Sequence, residues 1–170
     1  MMTFYTRLDC PLGSLLLTSD GESLTGLHLP PNNDKTIERD WIPRANARPF
    51  PEAVRQLRAY FDRSLTQFDL PLLPNGTAFQ RRVWNELEKI PYGVTISYGE
   101  LAQRVGNPKA SRAVGLANGR NPIPIIVPCH RVIGASGKLV GYGGGLDTKR
   151  MLLDLESSVM SQQIAMALRY

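Results

Sequence analysis

Residues 127–134 read Val-Pro-Cys-His-Arg-Val-Ile-Gly, a thiol, an imidazole and a guanidinium in succession within an apolar run. The thiolate is the nucleophilic form of cysteine, and an ordinary thiol with a pKa near 8.5 is only about 3% ionised at pH 7. A cation or base beside it raises that fraction, which makes Cys129, flanked by His130 and Arg131, a candidate nucleophile. The competing reading is a small apolar filler, a common use of a buried free cysteine. Adjacency in sequence does not decide between them, because neighbouring side chains of an extended stretch point to opposite faces. A reactive Cys129 has two chemistries open to it. A cysteine hydrolase needs a base, an orienting group and an oxyanion hole. His130, with Glu156, Asn121 or another acid, supplies the first two. No caspase-like or papain-like local signature accompanies them. Attack on a saturated carbon, by contrast, gives a thioether that water does not cleave, so the protein would act once per molecule.

The elements that must position this group follow from its flanks. Pro122, Pro124 and Pro128 keep residues 121–128 out of a helix and out of a central strand. An apolar segment that cannot be regular must be a fixed, largely buried loop, and Asn121 at its start is a local anchor for its backbone groups. The glycine-rich "ASGKLVGYGGGLDTKR" after it allows close approach of a ligand. Upstream, "YGELAQRV" (98–105) and "ASRAVGLANG" (110–119) read as two short helices joined by "GNPK". That pattern fits a helix-turn-helix or an ordinary helical hairpin. Small residues dominate the second helix, and its two internal glycines cost about 1 kcal/mol each. Either another helix packs tightly there, or the helix enters a DNA groove with Arg112 and Arg120 as its long side chains.

In the first half, "FYTRL", "SLLLTS" and "SLTGLHL" read as strands of an antiparallel hairpin or three-stranded sheet. Residues 51–63 read as a helix with Val54, Leu57 and Phe61 on one face, and 77–90 as a second helix capped by Thr77. Residues 30–50 read as irregular. Pro71, Pro74 and Gly76 mark a boundary that divides the chain into 1–75, 76–156 and a tail 157–170. A last helix covers 147–156, and the state of the tail is left open.

With 170 residues, 42% hydrophobic, the chain can bury a core and is not expected to be disordered. A net charge of +5 is weak support for an acidic partner such as nucleic acid. Two cysteines (Cys10, Cys129) and two histidines (His28, His130) give neither a disulfide framework nor metal-ligand spacing, so no metal is expected. Without a leader-like apolar stretch or a run near the ~20 residues that span a bilayer, a soluble, cytoplasmic protein with no membrane partner is the expectation.

"NPIPIIVPCHRVIGASGKLVGYGGG" resembles the active-site segment of the O6-alkylguanine-DNA alkyltransferases, the methylated-DNA–protein-cysteine methyltransferases. "FQRRVWNELEKIPYGVTISYGELA", "RAVGLANGRNP" and "LLDLE" resemble that family's C-terminal domain in the expected order, over residues 76–156. The N-terminal part matches in general form. The resemblance implies an α+β fold: an N-terminal antiparallel β-sheet with a covering helix, ribonuclease-H-like, against a C-terminal helical domain with a helix-turn-helix. It implies DNA repair by direct, single-turnover transfer of an alkyl group from O6-alkylguanine in a flipped-out nucleotide to Cys129, with O4-alkylthymine as a further candidate substrate. His130 would act on the thiol through a bridging water and Glu156 would hold His130. Asn121 would brace the loop, and Tyr98 would donate to the departing guanine. Tyr142, Gly143, Gly144 and Pro124 would wall the alkyl group, and the backbone around Cys129 and Val132 would read the exocyclic amine. Arg112 would fill the gap in the base stack, with Ala113, Gly115, Asn118 and Ser97 as further contacts in the minor groove. The partner would be double-stranded DNA, bound by a protein monomeric in free solution, with cooperative assembly on DNA left open and no cofactor. Some relatives carry serine where this chain has Gly143, which removes a hydroxyl and a Cβ from the pocket. The alternative is a helix-turn-helix protein that binds DNA or flags damage without catalysis.

Overall fold

The computed structural model describes residues 1–31 and 33–169. Its N-terminal sheet has the strand order β3-β2-β1-β4, built from β1 (Phe4–Cys10), β2 (Gly13–Ser19), β3 (Leu24–His28) and β4 (Ile42–Pro43). β1 and β2 form a hairpin in which Cys10 faces Gly13. Gly13 has φ 106°, a left-handed conformation open to glycine at so tight a reversal. β4 lies parallel to β1, so the sheet is mixed rather than purely antiparallel. A two-residue strand containing a proline has no period to detect, and its pairing, Ile42 beside Phe4, is a tertiary contact. α1 (Phe50–Phe61) covers the sheet and buries Phe50, Ala53, Leu57 and Tyr60. Full burial of side chains such as Phe50 and Leu57 stabilises the fold by about 1.5–3 kcal/mol each.

The second half contains α2 (Ala78–Glu88), β5 (Ile96–Ser97), α3 (Tyr98–Arg104), α4 (Ser111–Gly119), β6 (Val132–Ile133) and α5 (Leu146–Ala167). Thr77 caps α2 reciprocally: its hydroxyl accepts from the Gln80 N–H while the Gln80 side chain accepts from the Thr77 N–H. The Trp84 indole of α2 donates to Ala117 O at 2.9 Å and holds α4 in place. α3 and α4 form the helix-turn-helix. α5 continues unbroken past Glu156, so the chain from 157 to 167 is helical. No helix among the described residues is long and apolar enough to cross a membrane.

Two devices bring the halves to one place. β5 and β6 pair in parallel, Ile96 beside Val132, which sets the start of α3 next to the segment after Cys129. Across the chain, the outer edge of β3 donates from Leu27 N to Pro122 O at 2.8 Å, so the N-terminal sheet carries the proline-rich loop. A sheet edge with free N–H groups suits this use. One apolar cluster then joins Leu27 and Tyr60 to Trp84, Leu87 and Val127.

Candidate active site

The loop before Cys129 is clamped from within. Asn121 donates from Nδ2 to Val127 O at 2.7 Å and accepts from Ile123 N–H at 3.0 Å, while Val127 N–H donates to Ile123 O at 2.9 Å. Ile125, fully buried between them, has φ 75°. A β-branched residue there is strained and persists only where its surroundings over-determine it. Cys129 then opens a one-turn 3-10 helix, Cys129–Arg131, and is only 5% exposed.

That turn sends His130 and Arg131 to one carboxylate. His130 Nε2 lies 2.7 Å from Glu156 Oε1, and Arg131 grips both oxygens with Nε and Nη2, each at 2.9 Å. Tyr60 donates to Oε1 at 2.8 Å and the Gly93 amide to Oε2 at 3.1 Å. Arg131 Nη1 donates onward to Ile90 O at 2.7 Å. Burial alone would raise the Glu156 pKa, but the hydrogen bonds and charges of His130 and Arg131 hold it down at about 2. Glu156 is therefore a fixed anion. Tyr60, Gly93 and the role of Arg131 were not legible in sequence: Tyr60 is 96 positions from Glu156 and reads simply as a helix core residue.

The expectation that neighbouring cations raise the thiolate fraction of Cys129 is overturned. Arg131 is committed to Glu156 and Ile90, and desolvation pushes the Cys129 thiol up to about 11 despite the Asn121 amide and the Lys149 charge, which pull it down. Burial also lowers the pKa of His130, against the pull of Glu156, so the imidazole is neutral at pH 7. With Nε2 bound to Glu156, its buried Nδ1 has no hydrogen-bond partner among the described residues.

Beside the thiol lies a void of about 40 Å³, lined by Leu29, Asn118, Gly119, Asn121, Pro124, Cys129, Gly141, Tyr142 and Gly143. Pro124, Tyr142 and Gly143, three of the four residues that the resemblance assigns to the alkyl wall, are among its lining. Gly144 does not line the void; a Cβ on it would come within 2.7 Å of Leu29 Cδ1. Val132 is fully buried and paired with Ile96. Tyr98 does not line the void; it packs against the core, with its hydroxyl donating to Val140 O at 3.1 Å. Lys149, buried on α5, donates to the same carbonyl at 2.9 Å, so the glycine-rich segment is tied down from two sides. Among the described residues no group of three or more His, Cys, Asp or Glu could hold a metal ion.

On α4, Arg112 and Ala113 are exposed and Gly115 is half-buried. Asn118 departs from its expected place at the DNA groove. It is 3% exposed, faces the void and donates to Cys129 O at 3.4 Å, because position 118 falls on the inner face of the helix with Val114 and Ala117. Ser97 serves as the N-cap of α3, its Oγ accepting from Glu100 N–H at 3.0 Å. Leu116, missed in the sequence, is 61% exposed one turn from Arg112 on the same face. Among the described residues, packing requires neither glycine of α4: a Cβ on Gly115 would sit 3.7 Å from Tyr98, an ordinary contact, and one on Gly119 would meet nothing within 4 Å.

Fold and site together define a helix-turn-helix protein built around one buried thiol backed by a histidine–glutamate pair. Residues 78–158 match the family model "6-O-methylguanine DNA methyltransferase, DNA binding domain", and residues 3–74 match "6-O-methylguanine DNA methyltransferase, ribonuclease-like domain". The chain is 54% identical over 156 residues to the methylated-DNA–protein-cysteine methyltransferase of Methanosarcina acetivorans, covering 91% of this chain and 99% of that protein. It is 55% identical over 157 residues to the Mycobacterium tuberculosis protein of the same name, covering 92% and 94%. It superposes on the crystal structure of Mycobacterium tuberculosis OGT in complex with DNA with a TM-score of 0.85 at 55% identity, over 92% of this chain and 94% of that one. This chain belongs to the 6-O-methylguanine DNA methyltransferase family.

Proposed function

We propose that the protein repairs DNA by moving an alkyl group from O6 of an alkylated guanine to Sγ of Cys129, once per molecule. The observation that carries this reading is the thiol at the edge of a void, with the neutral His130 and anionic Glu156 behind it. A thiol held at about 11 is ionised to only ~10⁻⁴ at pH 7, so its proton must leave during the transfer. His130 takes that proton at Nδ1 through a bridging water, and Glu156 stabilises the imidazolium without becoming protonated itself. The Sγ–C bond forms as the C–O6 bond breaks. The electron pair of the broken bond stays on O6, and Tyr98 hydrogen-bonds the purine as charge develops on it. The thioether resists hydrolysis, so the protein is consumed.

A guanine stacked in a duplex cannot reach a buried sulfur, and the nucleotide must flip out. Arg112 fills the space it leaves, while Ala113, Gly115 and Leu116 press into the minor groove. That α4 tolerates glycine at 115 and 119 without any internal need supports close approach of a partner from outside. The void is little larger than one water's share of about 30 Å³. The base therefore enters by displacing the segment around Val140–Gly144, which breaks the Tyr98–Val140 hydrogen bond and frees the hydroxyl for the purine. Double-stranded DNA carrying O6-alkylguanine is the partner, and the protein meets it as a monomer.

Intact-mass measurement after mixing with a duplex containing O6-methylguanine tests the reading. One methyl group per protein, on Cys129, is expected, and none on Cys129→Ser, which still binds the duplex. Repeated turnover, or methylation at another residue, overturns it.

A further inference from the structure

Folding alone does not explain an amide at position 118. Asn118 is 3% exposed on the inner face of α4, where its buried neighbours Val114 and Ala117 are apolar. Its Oδ1 is buried with no hydrogen-bond partner among the described residues, and an acceptor in that state destabilises the fold. Its Nδ2 makes one long bond, 3.4 Å to Cys129 O, a carbonyl that already accepts from the Val132 N–H. A leucine, branched in the same way, would bury there and leave no side-chain acceptor unpaired. An amide at such a position points to a use outside folding. The residue beside it on this face is Tyr98. A Cβ on Gly115, one turn before Asn118, would sit 3.7 Å from Tyr98 Cδ1, so the ring lies along the inner side of α4. Burial and the Cys129 charge raise the Tyr98 pKa, and hydrogen bonding from the Asn118 amide pulls against them.

From this we infer that Asn118 is a positioning residue for the departing base: its Nδ2–H group supports the Tyr98 oxygen while the Tyr98 hydroxyl donates to the purine. The inference rests on the alkyl-transfer reading above. In the free protein the hydroxyl is turned to Val140 O at 3.1 Å. Once the base displaces that segment, the O–H turns to the purine. As the C–O6 bond breaks, negative charge grows on the purine and draws the Tyr98 proton towards it, and the phenolic oxygen becomes a stronger acceptor. A donor at that oxygen then strengthens the bond to the purine, and does so more in the transition state than before it. Nδ2 carries two hydrogens, so it holds Cys129 O at the same time. Asn118 thereby links the residue that attacks to the residue that receives the leaving base, without touching the reacting atoms.

The test follows single-turnover methyl transfer from an O6-methylguanine duplex to Cys129 by intact mass, in the parent protein, Asn118→Leu, Tyr98→Phe and the double variant. Asn118→Leu is expected to lower the rate at saturating duplex about tenfold, the scale of one hydrogen bond to a charged group. The half-saturating duplex concentration should stay within about twofold, because the lost interaction belongs to the transition state. Alkylation of Cys129 by iodoacetamide, whose iodide leaves without a hydrogen-bond donor, should also stay within about twofold. On the Tyr98→Phe background the same substitution should change the saturating rate by less than about twofold, since coupled residues are not additive. Equal slowing on both backgrounds, equal slowing with iodoacetamide, or a parental rate in Asn118→Leu overturns the inference. Should Asn118→Leu not fold, Asn118→Ala is read by the same cycle with the same outcomes. A Tyr98→Phe protein that transfers at the parental rate overturns the inference together with the role of Tyr98, whereas a parent protein that leaves Cys129 unmethylated rejects the reaction on which both depend.

Discussion

Replacing Glu156 with glutamine removes the charge on which five donors converge: Tyr60, Gly93, His130 and two nitrogens of Arg131. A carboxamide offers one acceptor oxygen and turns an NH₂ towards groups that are themselves donors. Arg131, 7% exposed, would keep its charge with no counter-ion. Removing one member of a buried ion pair costs about 3–5 kcal/mol. Titration leads to a similar figure. Glu156 is held at about 2 against an ordinary 4.5, which corresponds to about 3 kcal/mol of stability at neutral pH. For a chain of this size each kcal/mol moves Tm by roughly 2–4 °C, so Glu156→Gln should melt about 10 °C lower at pH 7. Because the folded-state pKa is depressed, this contribution is complete above pH 4.5 and disappears as pH falls towards 2. The gap between parent and variant should therefore close across that window. Thermal melts followed by circular dichroism at pH 7, 4.5 and 3 measure it. An unchanged Tm at pH 7, or a gap of constant size down to pH 3, would refute the view of Glu156 as a buried charged hub.

Other outcomes follow from the same geometry. Iodoacetamide should modify Cys129 slowly at pH 7 and increasingly as pH approaches about 11, whereas transfer from methylated duplex should be nearly flat from pH 7 to 9; parallel profiles would mean that thiolate forms without the relay. On the acid side, transfer should fall only below the ordinary imidazole range, because burial lowers the His130 pKa, and a midpoint above pH 6.5 in single-turnover rates would contradict this. Arg112→Ala should slow repair of duplex DNA at least tenfold while leaving reaction with the free base O6-methylguanine within about twofold, given the few kcal/mol needed to extrude a nucleotide; equal slowing on both substrates would remove Arg112 from that role. Tyr60→Phe deletes one donor to Glu156, strengthens its hold on the imidazolium and should move the acid limb of the rate profile to higher pH, whereas a lower Tm with an unmoved profile would make Tyr60 merely structural.

Much was legible in the sequence because it was local. Thr77 marks a helix start, the three prolines before Cys129 forbid regular structure, and the small residues of 110–119 announce a helix with an unusual outer face. The motif run from Asn121 to Gly145 identifies the family by itself. Features decided by distant partners were not legible. β4 is set by its pairing with β1, and the inward turn of Asn118 by the docking of α4 under Trp84. The state of Cys129 belongs to the same group. Sequence places two basic residues next to the thiol and suggests activation by charge, but the 3-10 turn swings both towards Glu156 on α5. A charge's effect depends on its direction and on the water excluded around it, and neither is a property of adjacency. Sequence determined which groups are present and the backbone each can adopt; the tertiary structure alone determined that the thiol is desolvated, that the imidazole is neutral, and that Tyr60 and Leu29, from the opposite end of the chain, complete the site.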